Sequence, residues 1–138
     1  MSNVTRLGDR QPDNEKITIN LGFVDLGRID LLVQEGFYSN RSDLIRTAIR
    51  NQLESHGEVV SKSLERHTME LGLRDYSVSD LEALRAAGEM LHVKVVGLAR
   101  IASDVSPELA RQTIGSITVL GALQASADIK KALGDRIR

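Results

Sequence analysis

The sequence predicts an α+β protein built in two parts, and three observations carry that prediction. The stretch Lys16 to Leu21 alternates apolar and polar residues with the period of a half-exposed strand. Two helical patterns follow it, with no second strand nearby for the first to pair with. Beyond Gly57 the chain resembles itself at an offset of about 24 residues, each copy running from an apolar segment through a small polar turn into a helical pattern. The expected organisation is a flexible arm over residues 1–14, a strand-helix-helix unit over 15–57 and a β/α repeat domain over 58–138.

Length and composition bound the function. A chain of 138 residues suffices for one ordinary domain or two very small ones. Apolar content of 41% with 27% charged residues is globular, and no apolar run is long enough to span a bilayer. The N-terminus lacks the apolar core of a secretory signal, so a cytoplasmic protein without a membrane partner is expected. Cysteine is absent, which excludes disulfides, thiolate metal sites and cysteine nucleophiles. The net charge is −1, with cations spread over both halves, so any basic surface must come from placement.

Residues 1–14 are polar, contain Gly8 and Pro12 and show neither apolar period, as expected of an arm; Arg6 and Arg10 are its cations. In the strand, Ile17, Ile19 and Leu21 share one face, while Lys16, Thr18 and Asn20 share the other. Gly22 breaks the strand, and Asp25 is placed to cap a helix with Leu26, Ile29, Leu32 and Val33 on its apolar side. Gly36 suits the left-handed position that closes such a helix. After Phe37 and Tyr38, Asn40 caps a second helix, and Asp43 is spaced to reach back as in a capping box. Leu44, Ile45, Ala48, Ile49 and Leu53 form its apolar stripe, with Arg46 and Arg50 one turn apart on another side and Gly57 as its stop. A strand this short does not stand alone in water, and two short helices bury little. The simplest remedy is the same strand from a second chain.

The order of strand, helix, glycine-aromatic turn and Ser39-Asn40-Arg41-Ser42-Asp43-Leu44-Ile45-Arg46 resembles the ribbon-helix-helix transcriptional regulators, the group of Arc, MetJ and CopG. The resemblance covers about residues 15–55. It implies an intermolecular two-stranded antiparallel ribbon entering the major groove of double-stranded DNA, with Lys16, Thr18 and Asn20 as base readers. Their chemistry fits: lysine donates to guanine, asparagine pairs bidentately with adenine, and threonine offers a hydroxyl and a methyl. The resemblance also implies a phosphate held at the second helix's N-terminus, here Ser39, Asn40, Arg41 and Ser42, where free amides and the helix dipole favour an anion. Arg46 and Arg50 are candidates for backbone contacts; the competing reading is a pair of surface charges matched to Asp43 and Glu54. The chain departs from the pattern at Leu21-Gly22-Phe23, where proline usually follows the strand, and glycine leaves the first helix's start loosely defined.

In the second half, Val59, Val60 and Leu64 continue a weak helical pattern as a connector. At the 24-residue offset Val93 aligns with Ile117, Val95 with Val119, Val96 with Leu120 and Gly97 with Gly121; Asp104, Val105 and Leu109 align with Asp128, Ile129 and Leu133. A fainter copy places Met69, Leu71 and Asp80 against Val93, Val95 and Asp104. Caps are expected at Ser79, at Ser106 before Pro107, and at Ser126 or Asp128. Copies repeating in one direction imply parallel strands joined by helical crossovers, hence a small solenoid-like β/α sheet. Such a sheet has open edges and an uncovered face, which suits assembly into a tetramer or higher oligomer, or binding of a protein or small-molecule effector.

No nucleophile-base pair or phosphate-cradling glycine spacing stands out, so no catalytic residue and no cofactor are expected. His56, His67 and His92 are widely separated without cysteine, so no metal site is expected either. The leading function is a sequence-specific DNA-binding transcriptional regulator, a repressor, acting as a homodimer or higher oligomer. The alternative is an antitoxin-like interaction protein whose C-terminal half binds a partner.

Overall fold

The computed structural model describes residues 13–138. The expected arm, with Arg6 and Arg10, lies outside the described residues as far as residue 12. The chain divides into two compact units, Asn14–Ser63 and Leu64–Arg138, the latter joined by Asp13.

In the first unit, residues 15–22 form neither helix nor strand, and Gly22 at their end is extended. Helix α1 (Phe23–Gln34) begins earlier than expected: its N-cap is Gly22, not Asp25, which sits in the first turn where an acid favours the helix dipole. Gly22 offers no side-chain cap, so the position of the start follows from the extended backbone before it. Gly36 takes φ +87°, the left-handed close expected of it. Helix α2 (Arg41–Ser55) starts at Asn40, whose Oδ1 accepts from the Asp43 amide at 2.8 Å. The Asp43 carboxylate reaches back as expected, but one residue further, accepting from the Ser39 amide at 2.9 Å. Gly57 does not end the unit. It opens helix α3 (Gly57–His67), separated from α2 by His56 alone. The expected connector is therefore a full helix, and it crosses the division between the units.

The second unit alternates strand and helix: β1 (Glu70–Tyr76), α4 (Val78–Ala87), β2 (Leu91–Ile101), α5 (Pro107–Thr113), β3 (Ile114–Gln124) and α6 (Ala127–Ala132). The strands form one parallel sheet in the order β1-β2-β3. The self-similarity of the sequence is the physical register of β2 on β3, for Val93 pairs with Ile117, Val95 with Val119 and Gly97 with Gly121. The fainter copy is displaced by one residue: Leu71 pairs with Val96, not Val95, and Gly72 joins Gly97. The three glycines thus form one row across the sheet, at φ +128°, +139° and +119°. A Cβ built on Gly97 would sit 2.2 Å from the Gly72 carbonyl oxygen, and one on Gly121 would sit 2.1 Å from that of Gly97. Gly97 and Gly121 leave no room for a side chain, whereas at Gly72 the space is open and only the positive φ favours glycine.

One face of the sheet carries the core. Val93, Val95, Ala99, Ile101, Ile114 and Ile117 pack with Leu81 of α4, Leu109 and Ala110 of α5, and Ile129 and Leu133 of α6. The helices start on serine caps, because a short hydroxyl bonds the third amide of the helix that follows. Ser106 with Pro107 and Ser126 serve as expected. The cap of α4 is Ser77 in place of Ser79, in a reciprocal box with Asp80. The chain end is fastened to β3: Ile117 and Ile137 form a parallel bridge, and Arg136 donates to the carbonyls of Arg111 and Ile114 at 2.6 and 2.7 Å. Thr113, buried, donates to the Leu109 carbonyl at 2.7 Å, so no polar atom is stranded there.

Candidate nucleic-acid interface

The proposed readers Lys16, Thr18 and Asn20 are exposed and fall on alternate positions of the extended stretch. The intervening residues do not turn into a core. Ile17 is 71% exposed and Ile19 54%, and Leu21 is likewise open. The alternating apolar residues of this stretch thus meet solvent in the single chain. The same holds through the unit: no residue from Asn14 to Ser63 is buried. Phe23, Val24, Leu31, Phe37, Ile49 and Leu53 are all exposed. Some fifty residues with no buried side chain lack the hydrophobic surface burial that holds a domain together.

The turn into α2 is held by two hydrogen bonds between side chain and backbone. Asn40 and Asp43 consume the amides of Asp43 and Ser39. Among the described residues the amides of Arg41 and Ser42 have no acceptor, and they stand at the positive end of the α2 dipole. Ser39, Arg41 and Ser42 are exposed, as is Asn40. The Arg41 guanidinium lies back on α1, donating from Nε and Nη2 to the two carboxylate oxygens of Asp30 at 2.8 Å each. This bidentate pair ties α1 to the start of α2. The guanidinium holds the Asp30 carboxyl below the usual carboxylate range, chiefly through its hydrogen bonds. Arg41 retains further N–H groups for a phosphate, but its position is set by Asp30. Sequence reading missed this clip because eleven residues separate the partners, a spacing that belongs to no local pattern.

Arg46 and Arg50 are exposed and make no ion pair among the described residues, so the alternative pairing with Asp43 and Glu54 does not form. They lie one turn apart on α2. In the second unit, Arg100 donates to Gln124 Oε1 at 2.9 Å and to the Asp13 carboxylate. His92 shares a 2.8 Å hydrogen bond with the Ser116 hydroxyl, and His56 contacts Gln52. Among the described residues no three His, Cys, Asp or Glu side chains gather as a metal site would need. Among them, too, no helix is long and apolar enough to cross a membrane.

Neither a curated protein nor a solved structure matches the chain significantly. The model of the Ribbon-Helix-Helix transcriptional regulator family does match, over residues 12–130. That span is far longer than the strand and two helices from which the resemblance was read, and it takes in the sheet and most of α6. The C-terminal half is therefore part of the family pattern and not an unrelated appendage. With the extended stretch, the capped turn and the two helices in the order the family requires, the chain belongs to the ribbon-helix-helix transcriptional regulator family.

Proposed function

We propose that residues 15–57 pair with the same residues of a second chain, their extended stretches forming a two-stranded antiparallel ribbon that enters the major groove of double-stranded DNA. The observation that carries this reading is the exposed apolar row Ile17, Ile19 and Leu21 in a unit without a single buried residue. A second copy covers that row and the exposed helix faces beneath it, and so supplies the core the lone chain lacks. The opposite row, Lys16, Thr18 and Asn20, is then presented outward by both strands to the base edges. The free amides at Arg41 and Ser42, with the hydroxyls of Ser39 and Ser42 and the Asn40 backbone, hold a phosphate at the α2 N-terminus. Arg46 and Arg50 add backbone contacts.

In this reading the protein is a sequence-specific DNA-binding regulator, a cytoplasmic repressor acting as a homodimer or higher oligomer, and not an enzyme. Its C-terminal half is a stack of three β/α units, solenoid-like, that serves assembly. A net charge of −1 limits the phosphate footprint, so affinity depends on two or more subunits binding together.

Thr18→Ala and Asn20→Ala each lose about 1–3 kcal/mol of discrimination between operator and scrambled DNA while leaving thermal stability unchanged, as measured by competitive binding and melting. Ile19→Asp removes association and DNA binding together. Normal operator discrimination in both alanine variants, with only Ile19→Asp harmful, means that the strand is structural and does not read sequence.

A further inference from the structure

The helix-free face of the C-terminal sheet is apolar at its centre. Register places Leu71, Val96 and Leu120 in one row and Leu73, Leu98 and Ala122 in the next, all on the side opposite the core. Leu71 is 63% exposed and Leu120 62%, and the central-strand residues are covered only in part. At the amino-terminal end of this face lies Lys94, and at its carboxyl-terminal end lie Asp75 and Arg100 in one register row. The Arg100 charge is already met by Asp13, whereas neither Lys94 nor Asp75 has an ion-pair partner among the described residues. The face is thus positive at one end, negative at the other and apolar between.

We propose that this face is an interface between two copies of the chain, packed sheet on sheet about a two-fold axis with their strands antiparallel. A two-fold of that kind lays β2 over β2, so that Lys94 of one copy meets the Asp75–Arg100 row of the other. There Asp13 answers Arg100 and Asp75 is left to answer Lys94, twice per interface, with apolar rows over apolar rows. A parallel arrangement would set like charges together, so the charge pattern selects the antiparallel one. Strands of 11, 11 and 7 residues, rising about 3.3 Å per residue and spaced about 4.8 Å apart, give on the order of 450 Å² of sheet per copy. Two such faces bury on the order of 1,000 Å² before side-chain relief, which is at the lower bound for a specific contact. That suffices where a second interface already joins the chains. The inference deepens the oligomer reading above and rests on the ribbon dimer only for the total, which becomes four chains: two by ribbon, two by sheet face.

The test is the mass in solution of the full chain without DNA, by sedimentation equilibrium, for the wild type, Leu120→Asp, Lys94→Asp and the double variant Lys94→Asp/Asp75→Lys. The expected results are four chains for the wild type and two for Leu120→Asp. Lys94→Asp weakens association by about tenfold, because two charge pairs per interface are reversed, and the double variant restores it. Should Leu120→Asp disturb folding, the charge-reversal pair still decides, since both its positions are exposed. A wild type of two chains that Leu120→Asp leaves intact overturns the sheet interface and keeps the ribbon. Two chains that it converts to one keep the sheet interface and overturn the ribbon. Failure of the double variant to recover what the single loses overturns the antiparallel arrangement.

Discussion

Gly97 is where one residue constrains the whole sheet. Its positive φ and the 2.2 Å approach of a built Cβ to the Gly72 carbonyl leave room for hydrogen alone. Gly97→Ala is therefore expected to cost upwards of about 2 kcal/mol, combining backbone strain with a clash against backbone that cannot swing away; urea unfolding of the variant checks it. Gly57→Ala, with open space around its Cβ and a helical position, should be neutral or slightly stabilising in the same assay. Two of the three glycines in the row were legible in the sequence, since the 24-residue offset aligns Gly97 with Gly121. Gly72 was not, because the first copy is one residue further away, and a one-residue error in an aliphatic strand leaves no hydrophobic trace. The Asp30–Arg41 clip was equally hidden. Its side chains are about half exposed, so neither burial nor periodicity marks them.

At the scale of elements, caps decide where helices begin, and they were read with mixed success for physical reasons. Asn40, Ser106 and Ser126 have the sequence signature and serve as caps. Ser77 lies ahead of α4 and Ser79 within its first turn, and the cap is the one whose hydroxyl stands three residues before the Asp80 amide. At α1 no capping side chain is used, so the sequence held no signal for Gly22. Asn40→Ala should lower stability by about 1 kcal/mol, measurable by thermal unfolding of the assembled protein. The box at Ser77 also makes stability pH-dependent. Hydrogen bonds from Ser77 hold the Asp80 carboxyl below its ordinary value, so the unfolded chain takes up that proton more readily than the folded one. The contribution is fully present above the ordinary carboxylate range and is lost as pH falls through the depressed folded value. Asp80→Asn should lower stability at neutral pH and flatten the acid limb of a stability-pH profile; an unchanged acid limb would mean that the box is not what the acid breaks.

At the scale of the molecule, the two units answer the same difficulty differently. Leu64–Arg138 has a core of its own, on one face of its sheet, and leaves the other face apolar. Asn14–Ser63 has none. That asymmetry was partly legible: one short alternating stretch with two short helices announced a unit that buries little, and the repeat announced a parallel sheet with an open side. The continuous helix from Gly57 was not, because its apolar residues are few and none is buried, and a weak stripe reads as a connector. The central claim, that the outward row Lys16, Thr18 and Asn20 reads DNA from a paired ribbon, is tested most directly by selecting bound sequences from a random DNA pool and measuring the mass of the resulting complex. The expected result is an enriched motif with regularly spaced half-sites, bound by an even number of chains, whose preference at individual positions is lost in Thr18→Ala and Asn20→Ala. Binding without any sequence preference that vanishes at moderate salt would contradict it, leaving only a general attraction between cations and phosphate.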